Sequence, residues 1–198
     1  MPQVSTEEFE RLPLRAHSFL AGVPLHDVWA VDLPWARAAI TLDEFLRKTS
    51  VRPCSLSPLA RALLNVRFFI GRFLGWDREP APSDGDFFAK RLTAADLSES
   101  LIPPGTPEGV FRVVYRFKNE QLLEVMNRTA HAAAVSALVE TANSYRFYFG
   151  VYVRRVNRFT PVYMALIDPF RKLVVYPSLL HTVRSTWNQT FGPGCHYP

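Results

Sequence analysis

The sequence is poor in cysteine and has no long apolar run. It contains two cysteines, Cys54 and Cys195. Two isolated cysteines do not make a metal-binding spacing, and a reducing compartment disfavours a disulfide, so we expect both to be free thiols. No apolar run reaches the roughly 18 residues of a membrane span, and the N-terminal residues MPQVSTEEFERLPLR are too charged for a signal peptide. These absences predict a cytoplasmic protein.

The chain also lacks a concentrated block of one charge. Its net charge is +5, and the basic excess is spread along the sequence. Such an excess is typical of proteins that meet a membrane surface or nucleic acid, but the even spread also fits a modestly basic surface. A hydrophobic content of 48% excludes a disordered chain, and 198 residues predict a single domain over 1–198. We expect flexible tails at 1–11 and 190–198.

Common catalytic signatures are missing as well. There is no Gly-x-Ser-x-Gly elbow, no phosphate-cradling loop and no glycine-rich dinucleotide loop. The histidines His17, His26, His181 and His196 show no spacing typical of metal ligands. We therefore expect no metal and no cofactor.

Alternating apolar residues predict a series of β-strands. The strongest pattern covers 145–156, where Gly150 interrupts one face and marks a bulge or a close contact. Residues 129–141 are rich in alanine, which favours helix, but they lie between two strands joined by short turns, so we predict a strand. The predicted strands are 26–33, 87–92, 110–118, 121–127, 129–141, 145–156 and 162–167.

Two helices are predicted after the first strand. Thr41 followed by Glu44 is a capping-box pattern, and Ser57-Pro58 opens a second helix that ends near Gly75. Aromatic residues on the second helix are also typical of a helix on a membrane surface. These aromatic residues are Phe68, Phe69 and Trp76, and the predicted buried face is Leu59, Leu63, Val66, Ile70 and Phe73.

The C-terminal part predicts a long amphipathic helix. Asp168 suits the N-cap and Pro169 the first helical position, so the strand 162–167 should stop there. Pro177 should kink the helix, because proline removes a backbone hydrogen bond. The predicted apolar stripe, with spacings of three and four, is Phe170, Leu173, Pro177, Leu180, Val183 and Trp187.

Several phrases of the sequence resemble a bacterial family of unknown function. They are RLTAADLSESLIPPGT, VYRFKNEQLLEVMN, YRFYFGVYVRRVNRFTPVYMALIDPF and VVYPSLL, and the resemblance runs from about Leu12 to Phe191. The order of elements is similar to the helix-grip fold of the START-like (SRPBCC) superfamily, which includes lipid-transfer domains, polyketide cyclases and pollen allergens. The resemblance implies an α+β fold: a curved antiparallel sheet of about seven strands around a long C-terminal helix, with two short helices after strand one.

A helix-grip fold implies a cavity between the sheet and the C-terminal helix. We expect this cavity to hold a small apolar or amphipathic molecule, although the same side chains could fill the space as core. The candidate ligand-binding residues are Phe111, Val113, Tyr115, Leu123, Val125, Phe147, Phe149 and Val151 from the strands, and Phe170, Val174 and Pro177 from the helix.

An enzymatic alternative requires acid–base groups. Glu124 and His131 are the available pair, because a turn near Arg128 would bring them together on adjacent antiparallel strands. A cyclase- or dehydratase-like activity would use them, but a purely structural pair fits the same pattern. Asp168 is better explained as a helix cap than as a base.

A third alternative is a protein that acts through its surface. Cations and aromatic residues share one predicted sheet face, as in proteins that bind single-stranded nucleic acid, but any solvated sheet face looks similar. These residues are Arg112, Arg116, Arg146, Tyr148, Tyr152 and Arg154. We expect no specific nucleic-acid partner and at most a weak contact with a membrane surface. The sequence leaves the oligomeric state open.

Overall fold

The computed structural model describes residues 3–49, six isolated helical positions between 58 and 71 (58, 62, 65, 66, 69 and 71), and residues 87–192. The described helices are α1 (Thr6–Glu10), α2 (Arg15–Phe19), α3 (Leu42–Thr49), α4 (Ala94–Glu99), α5 (Thr160–Phe170) and α6 (Tyr176–Phe191). The strands are β1 (Leu25–Pro34), β2 (Pro107–Glu108), β3 (Phe111–Arg116), β4 (Glu120–Met126), β5 (His131–Glu140) and β6 (Ser144–Arg154). A 3₁₀ turn spans Phe88–Arg91 and a π turn spans Arg171–Val175.

The architecture is α+β, with a long C-terminal helix on an antiparallel sheet in the helix-grip arrangement. The sheet has six strands in the order β1-β6-β5-β4-β3-β2, rather than about seven. The alanine-rich segment 129–141 contains β5, so the prediction from topology is confirmed over helix propensity. The prediction of a strand at 87–92 is wrong, because Phe88–Arg91 forms a 3₁₀ turn.

The C-terminal helix begins earlier than predicted. Residues 162–167 lie in α5 rather than in a strand, and α5 continues through the π turn into α6. The Asn157 side chain accepts hydrogen bonds from the N–H groups of Phe159 and Thr160, and Pro161 occupies the first turn. Asp168 therefore lies within a helix and is not its N-cap. A short apolar run does not distinguish strand from helix by periodicity, which explains the wrong prediction.

The π turn changes which residues of this helix face the sheet. Its wider turn shifts the phase of the helix, so Phe170 and Leu173 are 49% and 77% exposed. Leu180 and Trp187 are buried as predicted. Pro177 is the second residue after the π turn and cannot donate to the carbonyl of Leu173, which lies inside that turn.

One face of the sheet packs against this helix, and we call it the helix face. The predicted alternation of β6 is confirmed, because Tyr145, Phe147 and Val151 belong to the apolar core on this face. The indole Nε1 of Trp187 donates to the carbonyl of Pro34 at 2.9 Å, which ties α6 to β1. Burial on this face positions the helix across β1 and β6.

The opposite face of the sheet is covered as well, and we call it the N-terminal face. Phe9 of α1 and Phe19 of α2 are buried against it in a second apolar core. A Cβ atom on Gly150 would lie 2.9 Å from Cζ of Phe9, so Gly150 marks the close contact that the sequence indicated. The segment 1–11, which the sequence predicts to be a flexible tail, contains α1, and Phe9 of this helix is fully buried.

An extra residue in β3 moves the side chains after it to the opposite face of the sheet. Val113 pairs with Leu123 and Tyr115 pairs with Leu122, so Val114 has no partner and forms a β-bulge. Tyr115 consequently lies in the core on the N-terminal face. Strict alternation from Val113 would have placed it on the helix face.

Several predictions concern residues outside those that the structure describes. Most of the predicted helix from Ser57 to Gly75 is among them, as are Phe68, Trp76, Cys54 and Cys195. Within that helix, Val66 is exposed rather than buried, and Phe69 is exposed too. Among the described helices, none combines the length and apolar character that crossing a membrane requires.

Candidate functional site

The sheet brings most of the predicted ligand-binding residues onto the helix face. Val113 pairs with Leu123, Leu123 with Ala134, and Ala134 with Val151, so all four residues share this face. Phe111 and Val125 lie one step further along it, in register with Val113 and Leu123. Tyr115 is the exception, because the bulge at Val114 moves it to the N-terminal face.

The helix residues of the predicted set are only partly buried. Val174 lies in the π turn and Pro177 two residues after its end, and both are half-buried, whereas Phe170 is 49% exposed. Phe170 ends α5, and the π turn that follows shifts the helical phase, so Phe170 is out of phase with the buried residues of α6. Val174 and Pro177 therefore remain candidates, and Phe170 lies at the margin.

On β3 and β4, apolar side chains of the helix face lie outside its described core; Val113 among them is buried, but the others are not fully buried. Phe147 and Val151 on β6 belong to the apolar core of the described residues. Leu123 and Val125 on β4 and Phe111 on β3 are half-buried and lie outside that core. The β3–β4 half of the helix face thus presents apolar side chains that the described core does not cover.

A polar group lies at one end of this apolar surface. The Arg116 guanidinium donates to the Gln121 side chain at 2.9 Å and to the Glu108 carboxylate at 2.6 Å. The Gln121 amide also donates to Glu108 at 2.9 Å. Gln121 pairs with Ser136, and Ser136 with Phe149, which places this group on the helix face. The sequence pattern predicted Arg116 on the other face, because regular alternation does not include the bulge at Val114.

The predicted acid–base pair forms, but on the N-terminal face. Nε2 of His131 lies 3.2 Å from Oε2 of Glu124, and both residues are buried. Glu124 also accepts hydrogen bonds from the N–H groups of Phe88 at 2.7 Å and Ala89 at 3.3 Å. The His131 ring stacks on Phe88 with 3.9 Å between ring centroids. The pair therefore holds the 3₁₀ turn against the sheet, on the side away from the predicted ligand-binding residues.

The aromatic residues of the proposed nucleic-acid surface are buried. Tyr148 and Tyr152 lie in the core of the N-terminal face. The Tyr148 hydroxyl donates to Glu8 at 2.9 Å, and the Tyr152 hydroxyl lies 3.2 Å from Nδ1 of His17. Stacking of nucleic-acid bases needs an accessible ring face, and α1 and α2 cover these rings.

A second polar cluster, not recognised from the sequence, lies where β1 meets the C-terminal helix. His26 is the extra residue of a bulge in β1, because Leu25 pairs with Tyr152 and Asp27 already with Val151. Nε2 of His26 lies 2.8 Å from Oδ2 of Asp168. The bulge thereby lets two consecutive residues, His26 and Asp27, approach the same helix. We call His26, Asp27, Asp168 and Arg171 the β1–helix cluster.

Asp27 is the unusual member of the β1–helix cluster. Its side chain is 0% exposed, and neither of its carboxylate oxygens has a hydrogen-bond partner in the described part of the chain. The nearest cation is Arg171, with 3.6 Å between Nη2 and Oδ2. Burial raises the pKa of the Asp27 carboxyl, and the Arg171 and His26 charges oppose that rise.

Arg171 connects the remaining groups of this region. It donates to Oδ1 of Asp168 at 2.8 Å and to the Tyr176 hydroxyl. Burial raises the pKa of Tyr176. The indole Nε1 of Trp29, two residues after Asp27 on the same face, is likewise buried without a partner among the described residues. No sequence signal identified this region, because 142 residues separate His26 from Asp168.

The fold and these two sites define an α+β helix-grip protein in which part of the helix face lies outside the apolar core of the described residues. The chain belongs to the family described as protein of unknown function (DUF2867), whose model matches residues 19–178. That range contains all six strands and the β1–helix cluster. Comparison with curated proteins and with solved structures finds no match in either set.

Proposed function

We propose that the protein binds a small amphipathic molecule between the β3–β4 half of the helix face and the C-terminal helix. The observation that carries this proposal is the incomplete burial of Leu123 and Val125, whose counterparts across β5, Val151 and Val153 on β6, are in the core. Apolar side chains that face inwards without joining the core offer a surface for an apolar ligand. We also propose that the protein resembles START-like carriers in holding its ligand between the sheet and the C-terminal helix.

The polar group at Arg116 supports an amphipathic ligand rather than a purely apolar one. Ligand sites are mostly apolar with a few placed polar groups that fix orientation. Arg116 and Gln121 are buried on the helix face, next in register to the apolar residues Val113 and Leu123. The ligand's apolar part would contact Leu123 and Val125, and its polar end would lie near Arg116.

The position of the other groups favours binding without a reaction. Glu124 and His131 lie on the N-terminal face and are engaged with the 3₁₀ turn. A ligand on the helix face is separated from them by the sheet. The enzymatic alternative that uses this pair therefore has less support than simple binding.

Filling the surface should prevent binding. We expect the Leu123→Trp variant to bind an amphipathic fluorescent probe, such as an anilinonaphthalene sulfonate, at least about tenfold more weakly, because the indole would occupy the ligand's place. The matched control is Val162→Trp, which adds the same side chain at a position that is 61% exposed on the outside of α5. Probe titration and urea denaturation of both variants make the comparison.

Native mass spectrometry of protein purified from its own host gives a second measurement. We expect a co-purified small molecule in the unchanged protein and in Val162→Trp, and its loss in Leu123→Trp. If Leu123→Trp folds normally and binds the probe as tightly as the unchanged protein, the proposal is wrong.

A further inference from the structure

We propose that His26, Asp27 and Asp168 bind a divalent transition-metal ion of the zinc type. This goes beyond the proposed function, because it requires no organic ligand. It also concerns the β1 edge of the sheet rather than the β3–β4 half.

The three side chains are arranged as ligands to one ion would be. One ligand atom from each residue lies within 4.8 Å of the other two. Nε2 of His26 is 2.8 Å from Oδ2 of Asp168 and 3.9 Å from Oδ2 of Asp27. Zinc bonds to nitrogen and oxygen are about 2.0–2.2 Å long, so the ligand atoms of a tetrahedral site lie roughly 3.4 Å from one another. Small side-chain movements would complete the geometry.

The unsatisfied carboxylate of Asp27 is the independent observation that points to a cation. Other buried carboxylates among the described residues have close partners, and even Asp43, whose Oδ1 has none, pairs through Oδ2 with Arg47 at 2.8 Å. Glu120 accepts from the N–H groups of Arg15 and Ala16 and from the Tyr115 hydroxyl, and Asp96 accepts from Thr93 and Arg15. Asp27 is equally buried and accepts no hydrogen bond among the described residues. A buried carboxylate is normally hydrogen-bonded or coordinated to a metal, so a bound cation would account for its placement.

Arg171 is compatible with the ion and helps to position a ligand. It donates to Oδ1 of Asp168, while Nε2 of His26 lies 2.8 Å from Oδ2 and 3.0 Å from Oδ1 of the same carboxylate. Metal-binding carboxylates are commonly held in this way by a hydrogen bond to their other oxygen. The distance of 3.6 Å between Nη2 of Arg171 and Oδ2 of Asp27 is too long for a hydrogen bond. Nζ of Lys172 lies 3.7 Å from Oδ2 of Asp168. The two carboxylates thus face two basic side chains, and neither base satisfies Asp27.

The type of ligands selects the class of ion. One imidazole and two carboxylates suit zinc, manganese or iron(II), whereas magnesium prefers oxygen ligands and keeps several waters. Three protein ligands leave at least one coordination position open, as in catalytic rather than structural zinc sites. An ion held here would therefore be able to bind water or a further small ligand.

Isothermal titration calorimetry of the full chain, first treated with a chelator, tests the proposal with ZnCl₂ and MgCl₂ as probes. We expect one zinc ion per chain and magnesium binding at least about tenfold weaker. Asp27→Asn and Asp168→Asn should each weaken zinc binding by at least about tenfold. Asp32→Asn is the matched control, because Asp32 lies on the same strand with a side chain that is 72% exposed, and it should leave zinc binding unchanged.

Two results would overturn the proposal: no zinc binding by the unchanged protein, or zinc binding that persists in both Asp27→Asn and Asp168→Asn. If Asp168→Asn does not fold because Arg171 loses its partner, His26→Gln replaces it with the same expected loss. The titration contains no organic ligand, and Leu123→Trp should retain zinc. Failure of the metal site is therefore distinguishable from failure of the ligand site.

Discussion

At the scale of single residues, buried carboxylates divide into satisfied and unsatisfied ones. Glu120 and Glu124 each accept two backbone hydrogen bonds, and their charge is spread over several donors. Asp27 is just as buried and accepts no hydrogen bond among the described residues; Arg171 and His26 lie 3.6 Å and 3.9 Å from its Oδ2. Satisfied carboxylates stabilise a fold, whereas an unsatisfied one costs stability and is typical of a functional position.

We predict that Asp27→Asn stabilises the metal-free protein. An amide is nearly the same size as a carboxylate but brings no charge to desolvate, so the free energy of unfolding should rise by about 1 kcal/mol. Urea denaturation in the presence of a chelator measures this. The control Asp32→Asn should change stability by less than about 0.5 kcal/mol. A clear loss of stability in Asp27→Asn would instead mean that its attraction to Arg171 outweighs desolvation.

At the scale of elements, short helical segments depend on side chains from distant strands. Helix α2 has only five residues, and its N-cap Leu14 makes no side-chain hydrogen bond. Glu120 of β4 caps it instead, by accepting from the N–H groups of Arg15 and Ala16 at 2.8 Å each. Glu124 lies four residues further along the same face of β4. Its carboxylate likewise accepts a backbone hydrogen bond, from Phe88 in the 3₁₀ turn. One strand thus anchors two layers of the N-terminal face.

We expect Glu120→Gln to destabilise the protein by about 2 kcal/mol, because the amide nitrogen would face a backbone N–H group and leave it without an acceptor. Glu99→Gln is a suitable control, since Glu99 is exposed at the end of α4. Urea denaturation of both variants gives the difference. Equal stability of the two variants would show that α2 does not rely on this cap.

At the scale of the whole molecule, both faces of the sheet carry helices. The helix face carries α5 and α6, and the N-terminal face carries α1, α2 and the 3₁₀ turn. Tyr148 and Tyr152 lie beneath the N-terminal layer, and burial raises the pKa of both phenols to about 12. The attachment of this layer is therefore linked to the protonation of its tyrosines.

This linkage predicts a loss of stability at alkaline pH. Tyrosine in an unfolded chain has a pKa of about 10, so the folded state binds these phenolic protons more tightly. Their contribution is fully present below about pH 10 and is lost as the pH rises towards 12. Urea denaturation between about pH 10 and pH 12 should show that the free energy of unfolding falls less in a Tyr148→Phe, Tyr152→Phe double variant than in the unchanged protein. An identical pH dependence in both proteins would contradict the prediction.

The strands and their faces were largely predictable, because burial on one face imposes a period of two. The alternation of β6 and the close contact at Gly150 were both read correctly from the sequence. Predictions were wrong where one extra residue shifts the phase. The bulge at Val114 moved Tyr115 and Arg116 to opposite faces from those expected, and the π turn exposed Phe170 and Leu173. A bulge or a π turn depends on packing across the sheet, which a periodic pattern does not report.

The sequence by itself determined the fold class, the antiparallel sheet and the helix that packs on it, since local patterns of apolar residues set these. It also identified Glu124 and His131 as a pair, because they are close along adjacent strands. Only the tertiary structure decided which face that pair occupies, and only it assembled His26 and Asp27 with Asp168. The physical reason is distance along the chain: groups brought together by the pairing of β1 with β6 and by the packing of the C-terminal helix share no local pattern that a sequence could show.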